Sequence, residues 1–523
     1  MPRGSRNPRL SQIPKDSEED TFPGSWIAGI LICYKCGLAR LETGFFRSNL
    51  GNAISTTTAT MELQPTPTRN GRRADQMESG NASLSSLRRN EEQPVPSTAA
   101  GISETWKYPR INLWRFLASN YSFIILGMND AAYGALIPYL ESYYNVSYTV
   151  ISLIFLSPLV GYVTSASINN MIHVKFGQRG VAMLSPGAHL IAYMIICLHP
   201  PFPVLVLAFI FAGFGNGLAD AAWNAWVGGM ANTNELLGIL HAFYGLGATL
   251  APTIATSLIT KAHWKWFEFY YLVVGAAFLE MVFLTSAFWT ASGAKYRAEH
   301  PPTTNAEFEV PSESTVKLHR ALNRIFGNSQ TIEALKNKVT WICSIFISIY
   351  AGAEVGLGGW IVTFMINIRH GSAFASGMSA TGFWLGLTVG RVILGFVTPR
   401  LFRSEKHAVV AYLLCAIALE LLFWLVPQFY VSAVMVSFLG FFLGPLFPIA
   451  IVAATKLLPK HMHVSAIGFA AAIGSSGSTA FPFAVGAIAQ EKGVQILQPF
   501  ILAVLVACLG IWLFLPSLSK KRQ

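Results

Sequence analysis

Residues 203–228 read PVLVLAFIFAGFGNGLADAAWNAWVG. As a helix rising ~1.5 Å per residue, this stretch is long enough to cross the ~30 Å hydrocarbon core of a bilayer. Its single charged residue is Asp220. A carboxylate at membrane depth is costly and persists where it faces a partner or a water-filled route. Asn216, Asp220 and Asn224 fall at i, i+4 and i+8, so they share one helical face. Such a stripe belongs inside a bundle or against a cavity rather than against lipid. Gly213 and Gly217 on or near that face permit close helix approach. The plain alternative is interhelical hydrogen bonding, which a neutral Asn achieves without a buried charge. Asp220 is therefore read as functional.

Two more acids sit in comparable stretches: Asp130 in GMNDAAYGALIPYL (127–140) and Glu354 in YAGAEVGLGGWI (350–361). They belong to a series of twelve apolar spans, predicted at 113–140, 149–169, 180–198, 203–228, 236–260, 267–289, 339–365, 375–398, 408–426, 430–455, 464–488 and 495–515. The expected fold class is all-α, a polytopic membrane protein with twelve transmembrane helices in two pseudo-symmetric six-helix halves. The expected divisions are a disordered cytoplasmic tail (1–110), an N-terminal half (111–290), a cytoplasmic central loop (291–338), a C-terminal half (339–516) and a short tail (517–523). Within the central loop, TVKLHRALNRIF (315–326) reads as an amphipathic helix on the membrane surface. Met61 makes a sensible shorter start, and residues 1–60 are expected to be dispensable.

Composition agrees. Hydrophobic residues make up 53% of the chain and charged residues 12%, against about 25% charged in soluble domains. The net charge of +11 does not point to nucleic acid, because Lys and Arg gather in the tails and in alternate loops. One set of loops carries 14 of them and the opposite set 4, which places both termini in the cytoplasm by the positive-inside rule. The sequon Asn145-Val146-Ser147 then faces outward, too near the membrane for glycosylation to be expected. Cys33 and Cys36 form a lone C-x-x-C without a second ligand pair, and the other four cysteines are single residues in spans. No metal, cofactor or disulfide framework is expected. No nucleophile motif or phosphate loop is readable either, so an enzyme is not expected.

The halves share an internal pattern. Asp130 and Gly134 mirror Glu354 and Gly358. Gly213-Phe214-x-x-Gly217 mirrors Gly440-Phe441-x-x-Gly444, and Gly247-x4-Pro252 mirrors Gly477-x4-Pro482. If the repeat is real, spans 1, 4, 7 and 10 line a central cavity, with Gly134, Asn216, Gly356 and Leu443 facing it. Gly444, Pro445 and Pro448 are expected to break span 10.

These features resemble the major facilitator superfamily over roughly residues 110–516. Residues 170–179, NMIHVKFGQR, are similar to its G-x-x-x-D-R-x-G-R-R loop, keeping Lys175, Gly177 and Arg179 but with Asn170 for the first Gly and Val174 for the acid. GLGATLAP (245–252) resembles the G-x-x-x-G-P motif, with Ala251 for the second Gly. Asn129-Asp130, Asp220-Ala221-Ala222-Trp223-Asn224, GFWLGLTVGRVILG (382–395) and GFFLGPLFP (440–448) resemble fucose:proton symporter-like permeases of a fungal-type branch. That resemblance implies roles in proton coupling and sugar binding for Asp130 and Asp220.

The expected function is secondary active transport of a small polar solute, sugar or sugar-like, coupled to protons by alternating access. Asp130 and Asp220 are the proton-coupling candidates, and Asn129, Asn216, Asn224, Glu354, Arg391 and Trp384 the substrate-cavity candidates. A desolvated carboxylate is suited to loading and releasing a proton. Arg391 is the one basic residue deep in a span and needs a partner, with Glu354 the first candidate. Trp223, Trp226, Trp360 and Trp384 are candidates for stacking on a sugar ring or for packing. His241 reads as a satisfied helix-end histidine more readily than as part of a proton path, and Glu280 and Glu420 have no readable role. The partners are a solute, a proton and the lipid bilayer, and the chain is expected to be a monomer in either a plasma or a vacuolar membrane. The rivals are an uncoupled metabolite uniporter or exporter and a transporter-like nutrient sensor.

Overall fold

The computed structural model describes residues 104–299, 335–459 and 463–516. The tail with Cys33, Cys36 and Met61, the surface helix expected at 315–326 and the residues after 516 lie outside the described residues. Regular structure among the described residues is helical throughout.

The spans follow one another as expected. Span 1 is Ile111–Tyr144; span 2 is a turn at Tyr148–Ile151 followed by Leu153–Phe176; span 3 is Gln178–Cys197; span 4 is Phe202–Gly228; span 5 is Thr233–Thr260; span 6 is Phe269–Phe288. Span 7 is Lys338–Asn367, span 8 Ala373–Leu401, span 9 Glu405–Leu425 and span 10 Phe429–Leu443 continued by Leu446–Leu457; span 11 is His463–Lys492 and span 12 Leu497–Leu513. Eleven of these are long and apolar enough to cross a membrane. The twelfth is span 11, a 30-residue helix carrying GSSGS at 474–478.

Span 10 breaks at Gly444-Pro445, as its composition predicts. Span 1 continues through Pro138 as one helix. The segment 170–179 is not a loop: span 2 runs to Phe176, and Gly177 at φ +72° is the break. This segment docks on the residues after span 6. Arg179 N donates to the Ala291 carbonyl at 3.0 Å. At Val174, where the superfamily loop has an acid, the main-chain carbonyl accepts from Arg297 at 2.6 Å.

The internal repeat is physical. Span 1 packs on span 5 as span 7 packs on span 11; span 2 on span 4 as span 8 on span 10; span 3 on span 6 as span 9 on span 12. Between the halves, span 5 meets span 8, span 2 meets span 11 and span 1 meets span 7. The matched glycines mark these crossings. A Cβ on Gly213 would meet Pro158 of span 2, and one on Gly440 would meet Phe383 of span 8; Gly247 lies against the Ile124 carbonyl and Gly477 against that of Ser348. Gly134 and Gly358, matched by the repeat, touch each other, as residues beside a two-fold axis should.

The halves are sealed together on the side that the charge bias assigns to the outside. There Tyr148 and Phe155 pack on Trp360, with centroids 5.7 and 6.3 Å apart. Gln490 accepts from Tyr148 N at 2.9 Å, Asn367 donates to the Tyr148 hydroxyl at 3.1 Å, and the Thr253 and Thr381 hydroxyls lie 3.1 Å apart. Gly486 sits against Ser152. The seal leaves any central space on the opposite side of these contacts, the side with the Lys- and Arg-rich loops.

Candidate functional site

Such a space exists. A cavity of about 130 Å³ lies between the halves, with Asp130, Asp220, Glu354 and Arg391 in its wall. This is smaller than the roughly 300–1,000 Å³ of drug-sized pockets, so in this arrangement it suits a small solute. It receives side chains from spans 1, 2, 4, 5, 7, 8, 10 and 11. The repeat pattern selects spans 1, 4, 7 and 10 and misses the share of the wall made by spans 2, 5, 8 and 11.

Asp130 occupies the middle of span 1 and is held by three donors. Asn129 Nδ2 and Asn216 Nδ2 donate to Oδ1 at 3.1 and 3.0 Å, and the Tyr244 hydroxyl donates to Oδ2 at 3.0 Å. Asn129 is itself fixed, donating to the Tyr133 hydroxyl at 2.8 Å and accepting from that of Tyr193 at 3.2 Å. Asp220 accepts from Asn224 Nδ2 at 2.8 Å, one helical turn on. The polar stripe of span 4 thus divides its work. Asp220 faces the cavity, Asn224 holds it, and Asn216 (buried) reaches across to span 1.

On the opposite wall Arg391 Nη2 lies 2.9 and 3.1 Å from the two Glu354 oxygens, and its Nε donates to the Gly444 carbonyl at 3.3 Å. The second contact meets a need created by the break in span 10. Pro448 has no N–H to offer the carbonyl four residues back, which is that of Gly444. A carbonyl freed at membrane depth needs a partner, and the guanidinium supplies one. Tyr350 also lies against this pair, its hydroxyl 3.5 Å from Arg391.

Several expectations need correction. Asn129, Asn216 and Asn224 do not line the cavity; they stand behind the acids. Trp384 is fully buried and is absent from the cavity wall; its ring covers Gly358 and meets Phe383 edge-on. Span 8 uses that bulk to fill the gap beside a glycine. Gly134 lies in the span 1–span 7 crossing, Gly356 beside Ile501 of span 12, and Leu443 in the core, so none of the three opens on the cavity. His241 does line it, its ring between Phe123 and Phe447 at 5.6 and 5.7 Å. Counting residues from the end of span 5 concealed this, because the inner side of the cavity reaches close to that end.

Sequence reasoning also missed Tyr162, Tyr350, Ser475 and Ser478 in the wall. It missed a fully buried pair as well, His189 Nδ1 and Glu280 Oε2 at 2.9 Å. Each sits alone in an apolar span, and only tertiary structure brings them together. Among the described residues no group of three or more His, Cys, Asp or Glu is arranged to hold a metal ion.

A family model for the Major Facilitator Superfamily matches residues 121–482. The chain is 32% identical over 414 residues to Bypass of stop codon protein 6 of Saccharomyces cerevisiae, covering 77% of this chain and 82% of that protein. It is 24% identical over 396 residues to the Glucose/mannose transporter GlcP of Bacillus subtilis, covering 74% of this chain and 91% of that one. Its fold is similar to the crystal structure of a D-xylose-proton symporter, with a TM-score of 0.61 at 12% identity, covering 79% of this chain and 99% of the other. The twelve-helix arrangement, the cavity between its halves and the match over most of the membrane part lead to one conclusion: the chain belongs to the major facilitator superfamily and is a multi-pass membrane transporter rather than an enzyme.

Proposed function

We propose that this transporter carries a small polar solute, a sugar or sugar-like polyol, together with a proton, by alternating access and as a monomer. The observation that carries the reading is the carboxylate of Asp130, facing the cavity and held there by Asn129, Asn216 and Tyr244. Its donors sit on spans 1, 4 and 5, so its charge state bears on how three helices of one half are tied together. Asp220, in the same wall, is the second titrating candidate. Glu354 already has a cation at hydrogen-bond distance, and its role is the electrostatic one of holding spans 7 and 8 together.

The wall chemistry suits a polyol. Hydroxyls of Tyr162, Tyr244, Tyr350, Ser475 and Ser478 surround the space, and Phe123 and Phe447 offer apolar surface. A site built to hydrogen-bond solute hydroxyls rejects analogues that lack them, because its own polar groups would be left unpaired. The names of the glucose/mannose and xylose relatives support the sugar class. The Asn129-Asp130 pair supports the likeness to fucose:proton symporter-like permeases.

The cycle follows. With the outer side open, Asp130 takes a proton and the solute settles among the hydroxyls. The halves then rock to the arrangement described here, sealed outside by Tyr148, Phe155 and Trp360. Solute and proton leave towards the cytoplasm. Purified protein in liposomes tests this: adding a transported sugar or polyol outside should alkalinise the external medium in step with uptake. Uptake without proton movement would favour the uniporter reading.

A further inference from the structure

Behind Asp130 a polar chain runs away from the cavity and into the packing of spans 1, 3, 4 and 6. Asn216 Nδ2 donates to Asp130 at 3.0 Å, and Asn216 Oδ1 lies 3.0 Å from His189 Nε2. His189 Nδ1 lies 2.9 Å from Glu280 Oε2, and Glu280 Oε1 accepts from the Ser122 hydroxyl at 2.6 Å. His189 and Glu280 are fully buried, and neither lines the cavity.

Donor counting fixes the protons. The Asn216 amide turns its NH2 to the Asp130 carboxylate, so its oxygen faces His189 and Nε2 must carry a hydrogen. Nδ1 and Glu280 Oε2, at hydrogen-bond distance, must then share another. The pair therefore holds one proton beyond a neutral imidazole and a carboxylate. With that proton on the ring, the pair is an imidazolium beside a carboxylate. The ring side of the pair points, through Asn216, at Asp130, and the acid points away.

We propose that His189 and Glu280 are positioning residues for Asp130: their shared proton keeps the Asn216 amide turned towards the carboxylate and aims the positive end of a buried dipole at it. The inference rests on the coupling role of Asp130. The other titratable groups facing the pair are tyrosines. Tyr193 stacks on His189 at 5.8 Å and Tyr270 packs on Tyr193 at 6.0 Å; Tyr162 contacts Asn216 at 3.3 Å, and Tyr121 of span 1 lies against span 6. None of these supplies a competing cation, and the groups that share the cavity wall with Asp130 (Asp220, His241, Glu354 and Arg391) are left unchanged by the variants below.

The sign follows. Removing either member removes the dipole and makes the Asp130 carboxylate harder to form. The half-point of the pH profile of proton-driven accumulation should therefore move to more alkaline pH, by about half a unit for charges screened at an effective dielectric near 20. His189→Gln and Glu280→Gln should shift it in the same direction. The double variant should shift it no further than either single one, because the two act as a unit. Ser122→Ala, a small change that removes only the donor to Glu280, should give a smaller shift the same way and covers the case in which a larger change prevents folding. Solute counterflow, which needs no net proton release, should persist in all four. Profiles that superimpose on wild type, or shifts of the two single variants that add, would overturn the inference. Asp130→Asn is measured alongside. If it still accumulates solute, the coupling reading fails; if it does not, and the other profiles stay in place, only the role of the pair fails.

Discussion

Arg391 on span 8 meets both carboxylate oxygens of Glu354 on span 7 through one nitrogen, Nη2, at 2.9 and 3.1 Å beside the cavity. Both side chains are largely buried, 8% and 6% exposed. Removing one partner of a buried pair costs about 3–5 kcal/mol, because the other charge stays behind without compensation. Arg391→Gln should accordingly lower the thermal stability of the purified protein, and Glu354→Gln combined with Arg391→Gln should recover most of the loss. The recovery should be incomplete, because the Gly444 carbonyl also loses its donor. Strictly additive melting shifts in the double-mutant cycle would remove the pairing from the account.

The contact of Gly134 with the Gly358 main chain leads to a conformational prediction. A larger residue at Gly134 pushes span 1 from span 7 where the outer seal begins. Overpacking of this kind costs about 1–3 kcal/mol, a change of about 5- to 150-fold in the balance of states. Gly134→Val should populate the outward-open form. In a cysteine-free background, a cysteine placed at Ser152, buried in the seal, should react with an externally added polar thiol reagent several-fold faster when Gly134→Val is present. Unchanged reactivity would show that this crossing does not move.

Much of the architecture was legible because helix periodicity and glycine spacing report on one helix at a time. Gly213, Gly247, Gly440 and Gly477 mark real crossings, and the GPLFP segment marks a real break in span 10. The acids were legible because a charge in an apolar span stands out. What did not emerge was which way the neighbours turn. Asn216 and Asp220 share a helical face, yet one bonds span 1 and the other meets the cavity. Trp384 is aromatic and central in the motif, yet it fills space against Gly358. His189 and Glu280 belong to different helices and to no shared pattern, so their 2.9 Å contact has no trace in local sequence.

Asp220 is tied to Asn224 and faces the same cavity as Asp130. Asp220→Asn keeps a hydrogen-bonding side chain of the same shape but cannot release a proton. The variant should insert and remain stable, bind solute, and fail to accumulate it against a gradient. Accumulation equal to wild type would confine coupling to Asp130. Degradation of the variant would assign Asp220 to holding span 4 in place.

The central claim concerns Asp130, and it is tested most directly by measuring uphill accumulation and solute counterflow side by side for Asp130→Asn in liposomes bearing a proton gradient. Asn retains the shape at the junction of spans 1, 4 and 5 but carries no titratable proton. The account predicts that accumulation falls to the equilibrium level while counterflow stays within a few-fold of wild type. Accumulation that persists at the wild-type level in Asp130→Asn would contradict it.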